Sequence, residues 1–380
     1  MKVILSVEPV RFPLTGIGRY TYELARKLQC RSDIDALKLF SGKHYLPDLP
    51  VAGEQSSAVH GLKRIVQSSA ALMELYRILM PLLRAQALRD DGDHLYHGPN
   101  FILPPFPGRS VATFHDLSPF TWAQCFPPER ISYLQKELRK TLDKADGLIT
   151  DSEFTRQELA VFSGISLDRI YAVPLASSAD FRPRAPEQLR DVLGVYGLQP
   201  GGYSLYVGTI EPRKNIVTLL DAYGRLPLAL RLRWPLILSG YQGWQSEAIH
   251  ARIDAAQREG WARYLGFVPS EHLPLLFSGA RLFAFPSHYE GFGLPVLEAM
   301  SSGVPVICSN SSSLPEVVGG AALMCNPLDI DALTANLQRG LEDEVWRALA
   351  IEQGLSHSAS FSWERCAAQT VEVYKSVLDR

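Results

Sequence analysis

The stretch PSHYEGFGLPVLEAMSSGVP, Pro286 to Pro305, decides the fold, because its glycines and prolines nearly dictate a local structure around two carboxylates. Glu290 and Glu298 have seven residues between them, and Gly291, Gly293, Pro295, Gly303 and Pro305 mark the breaks. Just upstream, RLFAFP (281–286) is a short apolar run closed by a proline, the pattern of a buried strand. Pro295 suits the first turn of a helix, and Gly303 with Pro305 marks its end, so VLEAMSS (296–302) is expected to be a short helix. Glu290 then lies in the loop before the helix and Glu298 about one turn inside it, roughly 6 Å further along the axis at about 1.5 Å per residue.

The loop between the acids has what an anion needs. Two glycines let a ligand approach the backbone, and a helix N-terminus follows with unpaired N–H groups. Carboxylates on either side of a phosphate would face sugar hydroxyls, since a glutamate accepts paired hydrogen bonds from a diol, and phosphate with two diols describes a nucleotide sugar. Taken singly, Glu298 also fits a first-turn acid favoured by the helix dipole, and Glu290 a solvated loop acid. Taken together, PSHYEGFGLPVLEAMSSGVPVI resembles the donor-site signature of the retaining glycosyltransferases of family four, which carry Glu-x7-Glu and have the GT-B fold.

The whole chain is compatible with that resemblance. At 380 residues it is long for one core and comfortable for two. Its composition, 46% hydrophobic and 21% charged, is that of a water-soluble globular protein. A formal charge of -2 gives no global field favouring nucleic acid, so any anion site must be local. Cys30, Cys125, Cys308, Cys325 and Cys366 are scattered and never in a C-x-x-C arrangement, which suggests neither a disulfide framework nor a zinc cluster. The N-terminal apolar run is too short for a signal peptide and no run of about 18 apolar residues occurs, so a cytoplasmic enzyme is expected.

Lys2 to Val7 reads as a buried parallel strand, followed by VRFPLTGIG and the amphipathic RYTYELARKLQ. A strand, glycine turn and helix also suggest a nicotinamide cofactor, but here the glycines come late and the third glycine position of G-x-G-x-x-G is Thr21. The family resemblance gives Gly16, Gly18 and Arg19 a place beside donor phosphate and acceptor; a plain turn into the helix is the alternative. Residues 61–89 are amphipathic with Pro81 expected to kink them, and this face fits either core plus a solvated side or peripheral contact with an anionic membrane. Asp91-Gly92-Asp93 looks like a D-x-D metal motif, yet Asp-Gly is ordinary turn chemistry and no metal is assigned.

RSVATFHDLSPF gives a strand, Val111 to Phe114, whose carboxyl end should point His115 into a cleft. The resemblance implies that His115 contacts the donor sugar near the reacting centre; a buried, hydrogen-bonded histidine is the alternative. GLITDSEFTRQELAVF reads as strand Gly147 to Thr150, a Ser152 N-cap with Thr155 nearby, and a helix. A composition shift through YAVPLASSADFRPRAPEQL supports a boundary near residue 180.

The second half restarts the same grammar with SLYVGT and EPRKNIVTLLDAYGRL. Arg213 and Lys214 are adjacent cations between strand and helix, an anion-binding position, and they resemble the family's pyrophosphate-gripping pair. Many relatives instead carry arginine directly after the strand glycine, where Thr209 follows Gly208 here, so Lys214 is the firmer assignment of the two. Tyr264 to Phe267 is expected to be a strand, with Phe267 and Val268 bordering the nucleotide base by resemblance. FSWERCAAQTVEVYKSVLDR is the terminal helix that in this fold crosses back to the first domain.

The expected architecture is α/β, a GT-B fold of two Rossmann-like doubly wound domains facing across a cleft. The expected domains are 1–180 on the acceptor side and 181–360 on the donor side, with 361–380 crossing back. The resemblance implies a retaining, metal-independent hexosyltransferase using His115, Glu290, Lys214 and Arg213 on the sugar and phosphates. Donor contacts are expected from Gly16, Gly18, Gly208, Phe267, Val268, Gly291, Phe292, Gly293, Leu294 and Glu298. No cofactor is implied. The donor would be a nucleotide sugar, GDP-mannose or a GDP-6-deoxy-mannose such as rhamnose ahead of a UDP-hexose, and the acceptor a glycan or lipid-linked saccharide in O-antigen or polysaccharide assembly. A nucleotide-sugar epimerase of the same shape and a non-catalytic carbohydrate-binding protein are the readings of another class.

Overall fold

The computed structural model describes residues 1–14, 16–51 and 70–380. Two sheets carry the chain. The first contains β1 (Lys2–Ser6), β2 (Ala36–Ser41), β3 (His44–Leu46), β4 (Leu95–Gly98), β5 (Ser110–Phe114), β6 (Gly147–Thr150) and β7 (Ile170–Ala172), in the order β3-β2-β1-β4-β5-β6-β7. The second contains β8 (Ser204–Val207), β9 (Leu236–Ser239), β10 (Ala262–Tyr264), β11 (Leu282–Phe285), β12 (Val306–Ser309) and β13 (Ala322–Cys325), in the order β10-β9-β8-β11-β12-β13. Every named pairing is parallel except β2 with β3, a short antiparallel hairpin that the sequence pattern does not announce.

Strands such as β4, β5, β9, β11 and β12 are buried along their whole length, which is why they read as continuous apolar runs rather than alternating ones. In each sheet the order reverses beside its first strand, between β1 and β4 and between β8 and β11. At such a reversal the loops leaving adjacent strands diverge and open a crevice outside their carboxyl ends. In the second sheet those loops are the ones bearing Arg213–Lys214 and Glu290, so topology alone brings together residues 76 positions apart.

The chain passes between the sheets through residues 173–185, which form neither strand nor helix. The terminal helix Trp363–Leu378 returns to the first sheet. There Tyr374 Oη lies 2.6 Å from Nδ1 of His97, whose Nε2 lies 2.8 Å from Thr113 Oγ1. Complete burial pushes the His97 pKa down to about 3, so the ring is neutral in this contact. Gly147 permits the close approach: a Cβ there would stand 2.6 Å from Val377 Cγ2.

Two expectations need correction. β10 spans Ala262–Tyr264 rather than Tyr264 to Phe267, because Gly266 takes φ +66° and ends the extended run before Phe267. The helix after the donor loop is Leu294–Ser301, starting two residues before the expected Val296. The helix Ala70–Leu88 contains Pro81 within it, and residues 61–69 of the expected amphipathic run lie outside the described residues.

Candidate active site

The loop 286–293 follows β11 and turns into the helix Leu294–Ser301 through Gly293, whose φ of 105° is open to glycine and costly for a side chain. Its carbonyls are tied back by hydroxyls. Ser313 Oγ donates to the carbonyls of Glu290 and Phe292 at 2.9 and 2.8 Å, and Ser152 Oγ donates to Gly291 O at 2.6 Å. Thr155 Oγ1 adds a second bond to Gly291 O at 3.1 Å. Among the described residues the N–H groups of Gly291, Phe292, Gly293 and Leu294 donate to no protein acceptor. Four consecutive free amides at a helix N-terminus are donors an anion can use.

Beside it lies a compact charge cluster. Lys214 Nζ donates to both carboxylate oxygens of Glu290 at 2.7 and 2.8 Å. Arg213 donates to Tyr289 O at 2.8 Å, lies 3.5 Å from Glu290 Oε2 and pairs with Glu211 at 2.8 Å. A 3-10 turn, Pro212–Lys214, delivers both cations, and Asn215 closes it at φ 57° while bonding the carbonyls of Pro286 and Pro327. Burial alone would raise the Glu290 pKa, yet Lys214 and Arg213 together hold it below the usual carboxylate value, so the acid is ionised and paired. Glu298 is different. It is buried, with Arg19 as its nearby cation, and desolvation pushes its pKa up to about 7.

Across the cleft stand the carboxyl ends of β5 and β6. His115 is held at both ring nitrogens: Nδ1 lies 2.7 Å from Asp151 Oδ2 and Nε2 lies 2.8 Å from Pro99 O. Burial works against a charged ring, but Asp151 and the Pro99 carbonyl hold the pKa above the ordinary histidine value. His115 therefore locks the strand ends, and its backbone meets the donor loop: a Cβ on Gly291 would overlap the His115 carbonyl oxygen. Tyr289 completes the contact, with Oη accepting from Leu117 N at 2.9 Å and donating to the Glu158 carboxylate. Trp122 stacks on His288 with ring centroids 5.6 Å apart.

The other expected donor contacts are spread around this centre. Gly16 opens the helix Gly16–Gln29 with no atom within 4 Å of an added Cβ, whereas Gly18 packs tightly, its added Cβ meeting Pro9 O at 2.9 Å. Gly208 donates to Ser239 O at 2.9 Å at the end of β8. Phe267 is exposed and stacked on Tyr241 at 4.6 Å, and Val268 is buried, so only its backbone can face a ligand. The carboxylates of Asp91 and Asp93 lie before β4, at the opposite end of the strands, where Lys38 and Tyr45 hold Asp91 and Lys2 and His94 hold Asp93.

Comparison with known proteins follows this geometry. The family model described as glycosyl transferases group 1 matches residues 199–356. An O-antigen chain mannosyltransferase B of Escherichia coli is 48% identical over 379 residues, spanning 99% of this chain and 100% of the relative. The chain belongs to the group 1 glycosyltransferases. The serotype-specific mannosyltransferase WbdA of Escherichia coli is 32% identical over 281 residues, 72% of this chain and 34% of that larger relative. Among solved structures, a sucrose-phosphate synthase from Thermosynechococcus elongatus aligns with a TM-score of 0.72 at 20% identity over 100% of this chain and 99% of its own. Anabaena Alr3699/HepE, in complex with UDP and glucose, aligns with a TM-score of 0.72 at 16% identity over 99% and 100%. The paired sheets of this group 1 glycosyltransferase are thus the GT-B fold.

Sequence reasoning missed several participants in the group 1 glycosyltransferase site. Asp151, Glu158, Glu211 and Tyr289 bond to residues at or beside the donor loop, and Ser313 holds its carbonyls. Asp151 and Glu158 were readable only as polar positions around the N-cap of the helix Glu153–Ser163. Glu211 did sit beside the two cations, and that adjacency was the available signal.

Proposed function

We propose that the protein transfers mannose from GDP-mannose to a hydroxyl of a growing O-antigen glycan, with retention at the anomeric carbon and without a metal ion. The observation that carries the chemistry is the run of four unpaired amides, Gly291 to Leu294, beside Lys214 and Arg213. The 48% identity to an O-antigen mannosyltransferase along the full length of both chains supports the sugar and the acceptor class. Binding of the diphosphate would draw Lys214 from Glu290 and free that carboxylate for the sugar hydroxyls. Glu298 would accept hydrogen bonds from the ribose diol. Negative charge grows on the departing phosphate in the transition state, and prearranged cations and amides stabilise it there more than in the ground state. Retention fits attack on the same face as the leaving phosphate, whose oxygen takes the acceptor proton. In this reading Glu290 holds the sugar hydroxyls and is not the nucleophile of a double displacement.

The donor base is tested by thermal shift with GDP, UDP and ADP. At 100 times its dissociation constant the right nucleotide should add about 2.7 kcal/mol to stability. GDP is expected to give the largest shift, and a larger shift with UDP would defeat the GDP assignment.

Peripheral contact with the cytoplasmic face of an anionic membrane is proposed for the helix Ala70–Leu88. Leu79, Leu82 and Leu83 on it are exposed, and among the described residues no helix is long and apolar enough to cross a membrane. The protein is expected to pellet with phosphatidylglycerol-containing liposomes at low salt and to be released at about 0.5 M salt, where the Debye length falls to about 4 Å. Absence of pelleting at low salt would remove the idea.

A further inference from the structure

The chemistry assigned to the second domain leaves open which group meets the attacking hydroxyl. The carboxylates around the cleft can be compared by what each is already bonded to. Glu290 is taken by Lys214, Glu211 by Arg213, and Glu158 by Tyr289. Asp151 gives Oδ2 to His115, and its Oδ1 is buried with no partner among the described residues. Glu298 stands on the donor side, within the helix Leu294–Ser301. Asp116 remains.

Asp116 directly follows His115 at the carboxyl end of β5 and is only part-buried. One oxygen, Oδ1, accepts from Ser118 N at 2.9 Å and from Ser118 Oγ at 2.7 Å, which fixes the side chain as a turn cap. No protein donor among the described residues reaches Oδ2. The residue lies against the donor loop, since a Cβ added to Gly291 would stand 2.9 Å from Asp116 Cβ. Its field reaches Arg213, Tyr289 and Glu158 from the first-domain wall. A fixed, half-solvated carboxylate with one free oxygen, facing the donor loop from the opposite domain, is suited to hold a neutral hydroxyl.

The geometry points to Asp116 as the acceptor-binding carboxylate, with Oδ2 accepting a hydrogen bond from the attacking sugar hydroxyl or its neighbour on the ring. This rests on the glycosyltransferase reading above. In the transfer, the bond from the acceptor oxygen to the anomeric carbon forms as the bond from that carbon to the phosphate oxygen breaks. The hydroxyl proton passes to the departing phosphate, and Asp116 orients the nucleophile rather than taking its proton.

Asp116→Asn tests the assignment, because asparagine keeps the Oδ1 cap on Ser118 and replaces only the free oxygen by a donor. With GDP-mannose as donor and octyl α-mannobioside as acceptor probe, kcat/KM for the acceptor should fall roughly 10- to 100-fold, the range for losing one hydrogen bond to a charged group. The GDP-induced thermal shift and the affinity for GDP-mannose should stay within twofold of wild type. A residue that merely supported the fold would lower all three together, and that result overturns the assignment. So does acceptor efficiency within threefold of wild type. A wild-type protein that transfers no mannose to the probe defeats the functional reading itself, which separates that failure from failure of Asp116 alone.

Discussion

Lys214→Ala protein is expected to transfer sugar on the order of 100-fold more slowly than wild type, the cost of removing one charged group that stabilises a transition state. Lys214 is 9% exposed and its ammonium bonds both oxygens of Glu290, so it is held where the diphosphate would develop charge. Alanine also strands a buried carboxylate, with Arg213 Nη1 left 3.5 Å away as its remaining cation. Removing one partner of a buried pair costs about 3–5 kcal/mol, so the loss of rate must be separated from loss of fold. Lys214→Ala combined with Glu290→Gln should recover much of the thermal stability and none of the activity. Circular dichroism melting and turnover with GDP-mannose measure both quantities. A folded Lys214→Ala protein working within threefold of wild type would exclude the assigned role.

Glu298→Gln should produce a more stable and less active protein. Desolvation raises the folded-state pKa of Glu298 to about 7 from 4.5. Below pH 4.5 the group is protonated in both states and contributes no pH dependence. Between pH 4.5 and 7 the folded state binds the extra proton, so wild-type stability falls as pH rises, and above 7 the full penalty of a buried anion is present. At about 1.4 kcal/mol per pKa unit the penalty is roughly 3 kcal/mol, and glutamine never incurs it. Glutamine can offer the ribose diol one acceptor oxygen where an ionised carboxylate offers two, so donor KM should rise about 10-fold or more. Wild-type donor affinity should also improve from pH 6 to 8 while that of Glu298→Gln stays flat. Urea midpoints at pH 5 and pH 8 supply the decisive comparison: an equal difference between the two proteins at both values would refute the buried-anion account.

Much of the donor side was legible because its cues are local. Gly293 must sit at positive φ and Pro295 fits the first helical turn, so short windows of sequence carry the shape. The adjacency of Arg213 and Lys214 likewise survives translation into space. Long-range partners were not legible. The groups that meet both ring nitrogens of His115, Pro99 and Asp151, are reached only when neighbouring strands align. The contact of Tyr289 with Glu158 spans 131 residues, and no periodicity in either segment encodes it. The strand expected through Phe267 stopped early for a reason that was visible, a glycine at position 266, whose conformation the apolar run around it obscured.

The seat of Gly291 against His115, with its carbonyl held by Ser152 and Thr155, limits how freely the two halves of such enzymes can be recombined. The donor half looks portable because its signature is self-contained in sequence, yet its loop is finished by hydroxyls contributed from the other half. A chimera that grafts a new acceptor half must bring a serine and a threonine at those positions, with a strand end that leaves room for the glycine backbone. Interchange of acceptor specificity within this fold is therefore modular only above the carboxyl ends of β5 and β6, and the seam belongs to both partners.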